Sequence, residues 1–356
     1  MIDICIDQLL TMEKAIPIDV RSPEEFNEST IPNAVNIALF SDEERKEVGT
    51  IYKHAGPEKA KWRAMEIVSP KLPELLTRVK NLAETGGKPV LFCWRGGMRS
   101  QSLATFLDFA GFPVHRIIGG YRAYREYILA QIPELIPTQT VVLHGMTGVG
   151  KTDILTKLTG KGYPVLDLEG AAAHKGSIFG AMGSETDGNN QKTFDSLLFT
   201  RLKQLEGAPY IIVEAESKRI GKVTQPEELL ITKKGGIHFI VEASVETRVK
   251  RIYHEYVEPF IDQEWFYPMV KEKFEKIQKR IKDVSIKTAV NDALEQEDYH
   301  EFIRLLLLYY YDPRYEHKQL EYEGEFIHIN SDDEDEAVKQ IALKLDEVFT
   351  LQQQQK

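Results

Sequence analysis

Cysteine is nearly absent from this chain of 356 residues, which holds Cys5 and Cys93 and no other. Two such distant thiols cannot form a disulfide framework or a cysteine-rich zinc site, and a reducing compartment would leave both free. Neither zinc nor haem is expected. Long apolar runs are missing too: the longest aliphatic-aromatic stretch is residues 305–311, far short of the roughly 20 residues a membrane helix needs. The opening MIDICIDQLL carries acids where a secretory signal would carry Lys or Arg, so the reading is a cytoplasmic protein with no membrane partner. No internal repeat is present, and QQQQ near the end is the one low-complexity tract.

Neither sign of charge dominates until the end. Residues 1–137 carry 17 basic and 18 acidic side chains, residues 138–311 carry 23 and 25, and residues 312–356 carry 5 and 12. The net charge of −10 is therefore largely local to that last segment, and nucleic acid as a partner is neither favoured nor excluded. Within that segment, Ser331 is expected to cap a closing helix over about residues 332–349, whose acids 332–336 face its positive end.

What is present is an α/β pattern. At about 150 residues per domain the length predicts two domains. Short apolar runs alternating with helical patterns predict parallel sheets in both. Strands are expected at 15–20, 89–92 and 114–118, then at 140–144, 163–168, 210–214, 237–241 and 325–329. A helix is expected to start just past Arg99. The proline-punctuated segment 131–137 reads as a connector, giving a first domain over 1–135 and a second over 138–350 with a helical insertion at about 245–311. Residues 351–356 read as a disordered tail.

Gly145-Met146-Thr147-Gly148-Val149-Gly150-Lys151-Thr152 fits the phosphate-binding pattern G-x-x-x-x-G-K-[ST] in full, between a β run and a helical one. Glycines let main-chain N–H groups converge on phosphate oxygens, the helix N-terminus adds positive potential, Lys151 supplies a charge, and Thr152 can hold Mg²⁺. A glycine turn that binds nothing leaves the Lys-Thr pair unexplained. No guanine-reading Asn-Lys-x-Asp stands out. Glu214 and Glu216 follow the apolar run 211–213, where a metal-organising acid is expected, although Glu216 reads equally well as a surface acid.

Cys93-Trp94-Arg95-Gly96-Gly97-Met98-Arg99-Ser100 places a thiol at a strand end and Arg99 just before a helix. Inward main-chain N–H groups, the helix N-terminus and Arg99 would all favour thiolate over thiol and would hold an oxyanion against the sulfur. A merely buried Cys93 leaves Arg95, Gly96, Gly97 and Arg99 without a purpose. For Cys5, which lacks such company, a core position is expected.

Residues 18–26 (IDVRSPEEF), 29–37 (STIPNAVNI) and 118–121 (IGGY) resemble the hallmark segments of rhodanese domains, whose loop cysteine carries a persulfide. The Cys-x5-Arg spacing is one residue longer than the usual rhodanese loop and resembles that of cell-cycle dual-specificity phosphatases. A rhodanese-like domain joined to a P-loop domain resembles the tRNA 2-selenouridine synthases, and LDLEG (166–170), HKGSIFG (174–180), QKTF (191–194) and EAESKRIG (214–221) look like that family's own segments.

The resemblance implies conversion of wobble 2-thiouridine to 2-selenouridine in tRNA through an S-geranyl intermediate, with geranyl diphosphate and selenophosphate as co-substrates. It implies geranyl diphosphate on Gly145, Gly148, Gly150, Lys151 and Thr152, and selenium chemistry at Cys93. His174, Lys175, Lys218 and Arg219 become candidates for tRNA or substrate contact. Lys271, Lys273, Lys276, Lys279, Arg280 and Lys282 read slightly better as a solvated helix face, and Tyr309, Tyr310 and Tyr311 as packing. The rival reading is a cysteine phosphatase with a nucleotide-binding regulatory domain. A third is a persulfide carrier fused to a nucleotide switch.

Overall fold

The computed structural model describes residues 1–174, 188–315, 322, 324 and 326–354. Two compact units divide the chain, Met1–Ile132 with Lys192–Thr200 and Pro133–Gln191 with Arg201–Lys356. Among the described residues no helix is long and apolar enough to cross a membrane.

Unit 1 is built on a parallel sheet of β1 (Ile2–Ile4), β2 (Ala15–Asp19), β3 (Val35–Asn36), β4 (Lys88–Phe92) and β5 (His115–Ile117), in the order β1-β5-β4-β2-β3. Parallel strands covered on both faces must be apolar throughout, and Val90, Leu91 and Phe92 are fully buried. Pro17 sits in β2 without harm because the two-residue β3 pairs only with Ile18 and Asp19, leaving Pro17 a single neighbour.

Just past β2 a buried ion pair fixes the chain. Arg21 and Asp19 are 2% and 0% exposed, and the guanidinium holds the carboxylate through bonds of 2.6 to 3.0 Å. It also donates to the Ser29 carbonyl at 2.6 Å and lies 4.3 Å over the Tyr121 ring. Removing one partner strands the other charge in the core. Arg21→Met is therefore expected to destabilise unit 1 by about 3–5 kcal/mol, read by denaturant unfolding, whereas replacing both partners with apolar residues should cost much less.

Unit 2 holds a second parallel sheet of β6 (Thr140–His144), β7 (Ile211–Glu214), β10 (Ile237–Glu242) and β11 (Phe326–Asn330), in the order β11-β10-β6-β7, with a small antiparallel ribbon of β8 (Arg219–Ile220) and β9 (Val223–Thr224). Helices from Val245–Tyr256 to Asp312–Tyr315 form the insertion, whose own core includes Phe266, Phe274, Phe302 and Leu306.

Four local expectations are corrected. Cys5 is exposed at the N-terminus of the helix Ile6–Thr11, because Ile4 and Ile6 take the inward positions on either side of it. The strand expected at 163–168 reduces to one bridge, Val165 with Ile212; Pro164 has no N–H to give, and Asp167 accepts the Gly170 N–H at 2.7 Å to start the helix Leu168–Ala172. The connector at 131–137 is mostly helical, since Gly120–Leu135 runs through Pro133, which lies in its last turn and forfeits a bond only there. The closing helix spans Glu334–Gln354 and its cap is Asp333, whose carboxylate accepts the Asp335 and Glu336 N–H groups at 3.0 Å each. Ser331, expected as that cap, serves the phosphate loop instead. The tail expected to be disordered at 351–356 is instead helical over 351–354, which extend the closing helix, and residues 355 and 356 lie outside the described residues.

Candidate active site

β4 brings Cys93 to the carboxyl edge of its sheet, and the helix Met98–Phe109 starts just beyond. The loop between them rests on residues 119–122. The Tyr121 N–H donates to the Cys93 carbonyl and the Arg122 N–H to the Trp94 carbonyl, both at 2.9 Å. This approach requires glycine. Gly96 and Gly120 have φ of +60° and +61°, and a β-carbon on Gly120 would stand 2.1 Å from the Cys93 carbonyl oxygen.

Cys93 is 3% exposed. The Ser100 hydroxyl lies 3.3 Å from its sulfur and donates to it, and the thiol faces the Gly97 carbonyl at 3.8 Å. The expected ring of inward amides is not there: among the described residues no main-chain N–H donates to the sulfur, and Cys93 packs in the apolar core of unit 1 with Val20, Leu91 and Leu103, because its strand ends inside the covered sheet. Arg99 turns to Glu25, with bonds of 2.5 and 3.1 Å. Burial raises the Glu25 carboxyl, but Arg99, the Ser22 N–H and Arg45 outweigh it and hold the group below its ordinary value. Arg95 is exposed. The cation that reaches this loop is Arg116, which donates to the Gly96 carbonyl at 3.0 Å and pairs with Asp3. Its guanidinium is raised chiefly by the Asp3 hydrogen bond, with a small contribution from Cys93.

In unit 2, β6 runs into the glycine loop, and the helix Lys151–Gly160 begins inside the motif. Gly150, at φ +86°, makes the left-handed step that turns the chain into that helix. Lys151 Nζ is folded onto its own loop, donating to the Gly145 carbonyl at 2.8 Å and to that of Met146 at 3.4 Å. Three distant residues brace the loop. Arg248, 3% exposed and paired with Asp312, donates to the Thr147 carbonyl at 2.8 Å; Arg251 and Ser331 donate to that of Val149 at 3.1 and 2.7 Å. None of the three belongs to a motif, although Arg248 and Arg251 stand three apart on one helix face.

Glu214 ends β7 opposite Leu143 of β6. It is fully buried; one carboxyl oxygen accepts the Glu169 N–H at 3.4 Å, and the other, Oε1, has no partner among the described residues. Burial first, then the charges of Glu169 and Asp167, push it up to about 8, against a weaker pull from Lys151. A free glutamate titrates near 4.5. The folded state therefore binds more protons than the unfolded chain between about 4.5 and about 8, so this group makes stability fall as pH rises through that window. Glu214→Gln is expected to flatten that slope, measured by denaturant unfolding at several pH values.

Glu216 is half-buried, and its carbonyl accepts from the buried Lys233 at 2.8 Å and from Gln225 at 3.1 Å, which fixes the turn after β7. The His174 ring packs on Gly221, with Nδ1 buried and unpartnered among the described residues. Lys175 lies outside the described residues. Lys218 pairs with Glu227 at 2.9 Å and Arg219 donates to the Gly221 carbonyl at 3.1 Å; both are exposed beside the β8–β9 ribbon. Lys276 pairs with Glu272 at 2.7 Å, while Tyr310 and Tyr311 are buried and Tyr309 is exposed. Among the described residues no three His, Cys, Asp or Glu side chains form a metal-binding group.

The fold and these loops define a rhodanese-like unit and a P-loop unit in one chain. The family model described as the tRNA 2-selenouridine synthase AAA domain matches residues 138–346, and that of the rhodanese-like domain matches residues 6–127. A tRNA 2-selenouridine synthase of Bdellovibrio bacteriovorus is 34% identical over 70% of this chain and 67% of its own length. One from Pseudomonas savastanoi is 37% identical over 67% of this chain and 65% of its own, and one from Hydrogenovibrio crunogenus is 34% identical over 86% and 90%. The chain thus spans about two thirds of the first two relatives and nine tenths of the third. The chain belongs to the tRNA 2-selenouridine synthase family of enzymes.

Proposed function

We propose that this enzyme modifies tRNA, replacing the sulfur of wobble 2-thiouridine by selenium in two steps. The base sulfur first attacks the C1 carbon of geranyl diphosphate; the C–O bond breaks and pyrophosphate leaves. The selenium of selenophosphate then attacks C2 of the S-geranylated base, geranylthiol departs, and water cleaves the P–Se bond to release phosphate. Lys151 and the amides of Gly148 and Gly150 take the diphosphate and stabilise the leaving pyrophosphate. The cysteine loop orients selenophosphate, with Arg116 as its nearby cation. Lys218 and Arg219 are offered as RNA phosphate contacts.

Thr152 and the orphan oxygen of Glu214 are the groups that would hold a Mg²⁺, which when bound would neutralise charge building on the leaving pyrophosphate.

The observation that carries this reading is the pairing, in one chain of this family, of a cysteine loop clasped by Gly120 with a complete, braced phosphate loop. Mass spectrometry of nucleosides from tRNA treated with the pure protein, geranyl diphosphate and selenophosphate tests it. Loss of 2-thiouridine with gain of 2-selenouridine is expected, whereas rapid Cys93-dependent hydrolysis of an aryl phosphate with unaltered tRNA would favour the phosphatase instead.

A further inference from the structure

Unit 1 contains a cavity of about 680 Å³ that opens beside the cysteine loop, a size typical of small-molecule sites. Its floor is Leu39, Phe40, Ala60 and Val68, all buried, and its rim is Tyr52, Met65, Met98 and Phe106, which are 39% to 59% exposed. Apolar side chains held open to water at this scale are costly unless something covers them, and methionine adapts to flexible apolar chains. Four cations also line it, Arg45, Lys53, Lys61 and Arg99, and no Asp or Glu does. Glu25 neutralises part of the Arg45 and Arg99 charge from outside the lining, while Lys53 and Lys61 have no acidic partner among the described residues. The complementary ligand is a flexible apolar chain joined to an anion. Arg99 and Met98 belong both to this wall and to the loop that starts at Cys93, so the chain would lie next to the sulfur's loop.

We propose that this cavity holds the geranyl chain of the S-geranylated base during selenium transfer, with Lys53 and Lys61 facing phosphates of the RNA that carries it. The inference rests on the two-step reading above. It gives the departing geranylthiol an apolar receptacle beside the cysteine loop.

The test compares the full-length protein with Ala64→Phe, which fills the cavity from its half-buried wall, and Met65→Ser, which makes the exposed rim polar without adding charge beside Lys61 and leaves the core intact. Binding of an anticodon-stem RNA with S-geranyl-2-thiouridine is measured against the same RNA with plain 2-thiouridine, and geranyl diphosphate alone is a third probe. The wild type should prefer the geranylated RNA by at least about tenfold, and both variants should lose that preference while binding the 2-thiouridine RNA as before. An unchanged preference in both variants, or none in the wild type, would overturn the proposal, as would loss confined to geranyl diphosphate. Loss of the preference in the variants while the wild type makes no 2-selenouridine would uphold the pocket and refute the two-step reading. Normal 2-selenouridine yield with undiminished preference in both variants would do the reverse.

Discussion

Cys93→Ser is expected to lower selenium transfer by about 10²-fold while S-geranylation of the same tRNA continues, so that the intermediate accumulates. Serine keeps the size of the side chain and a polar atom for the Ser100 hydroxyl, which donates to the sulfur at 3.3 Å, so the loop should keep its shape. The main-chain bonds from Tyr121 and Arg122 that hold the loop do not involve the side chain at all. What is lost is the sulfur, the large polarisable atom of the loop that orients selenophosphate. Liquid chromatography with mass detection of the digested nucleosides gives both yields from one sample, and unfolding curves control for stability. Equal selenation by the variant would remove Cys93 from the chemistry.

Lys151→Ala is expected to do the opposite. The ammonium rests on the Gly145 and Met146 carbonyls, from which it can swing to a phosphate without any change in the main chain. Its removal takes away the point charge that offsets the pyrophosphate leaving group, an effect worth about 10²- to 10³-fold in rate for one well-placed donor. Tight braces on the loop from Arg248, Arg251 and Ser331 remain, so the fold should be unaffected. Geranylation should therefore fall steeply, while tRNA already carrying the geranyl group should still accept selenium at the wild-type rate. A variant that geranylates normally would place the diphosphate elsewhere.

The features legible in the sequence were those written in contiguous residues. The phosphate loop needs eight neighbours in order, the cysteine loop another eight, and buried parallel strands announce themselves as unbroken apolar runs such as 89–92 and 141–143. What stayed hidden depends on residues far apart. Ser331 looks like a helix cap because it precedes an acidic run, yet its hydroxyl is claimed by Val149 and by the Glu242 carbonyl, partners that only sheet pairing brings near. Arg248 looks like one more solvated base until Asp312 and the Thr147 carbonyl are seen around it. Arg99, chosen for its six-residue distance from Cys93, is held by Glu25, and the loop-side cation comes from Arg116 on β5. The apolar cavity is invisible in sequence for the same reason, since residues 39–72 and 98–106 contribute its walls separately.

The central claim is that the cysteine loop and the phosphate loop of one chain serve a single RNA base in succession. It is tested most directly by isolating tRNA geranylated in the absence of selenophosphate, removing geranyl diphosphate, and returning that tRNA to fresh enzyme with selenophosphate alone. The account predicts 2-selenouridine in place of the geranylated base, with geranylthiol released in equal amount. Selenation of plain 2-thiouridine tRNA without any geranyl donor, or failure of the isolated intermediate to react, would contradict it.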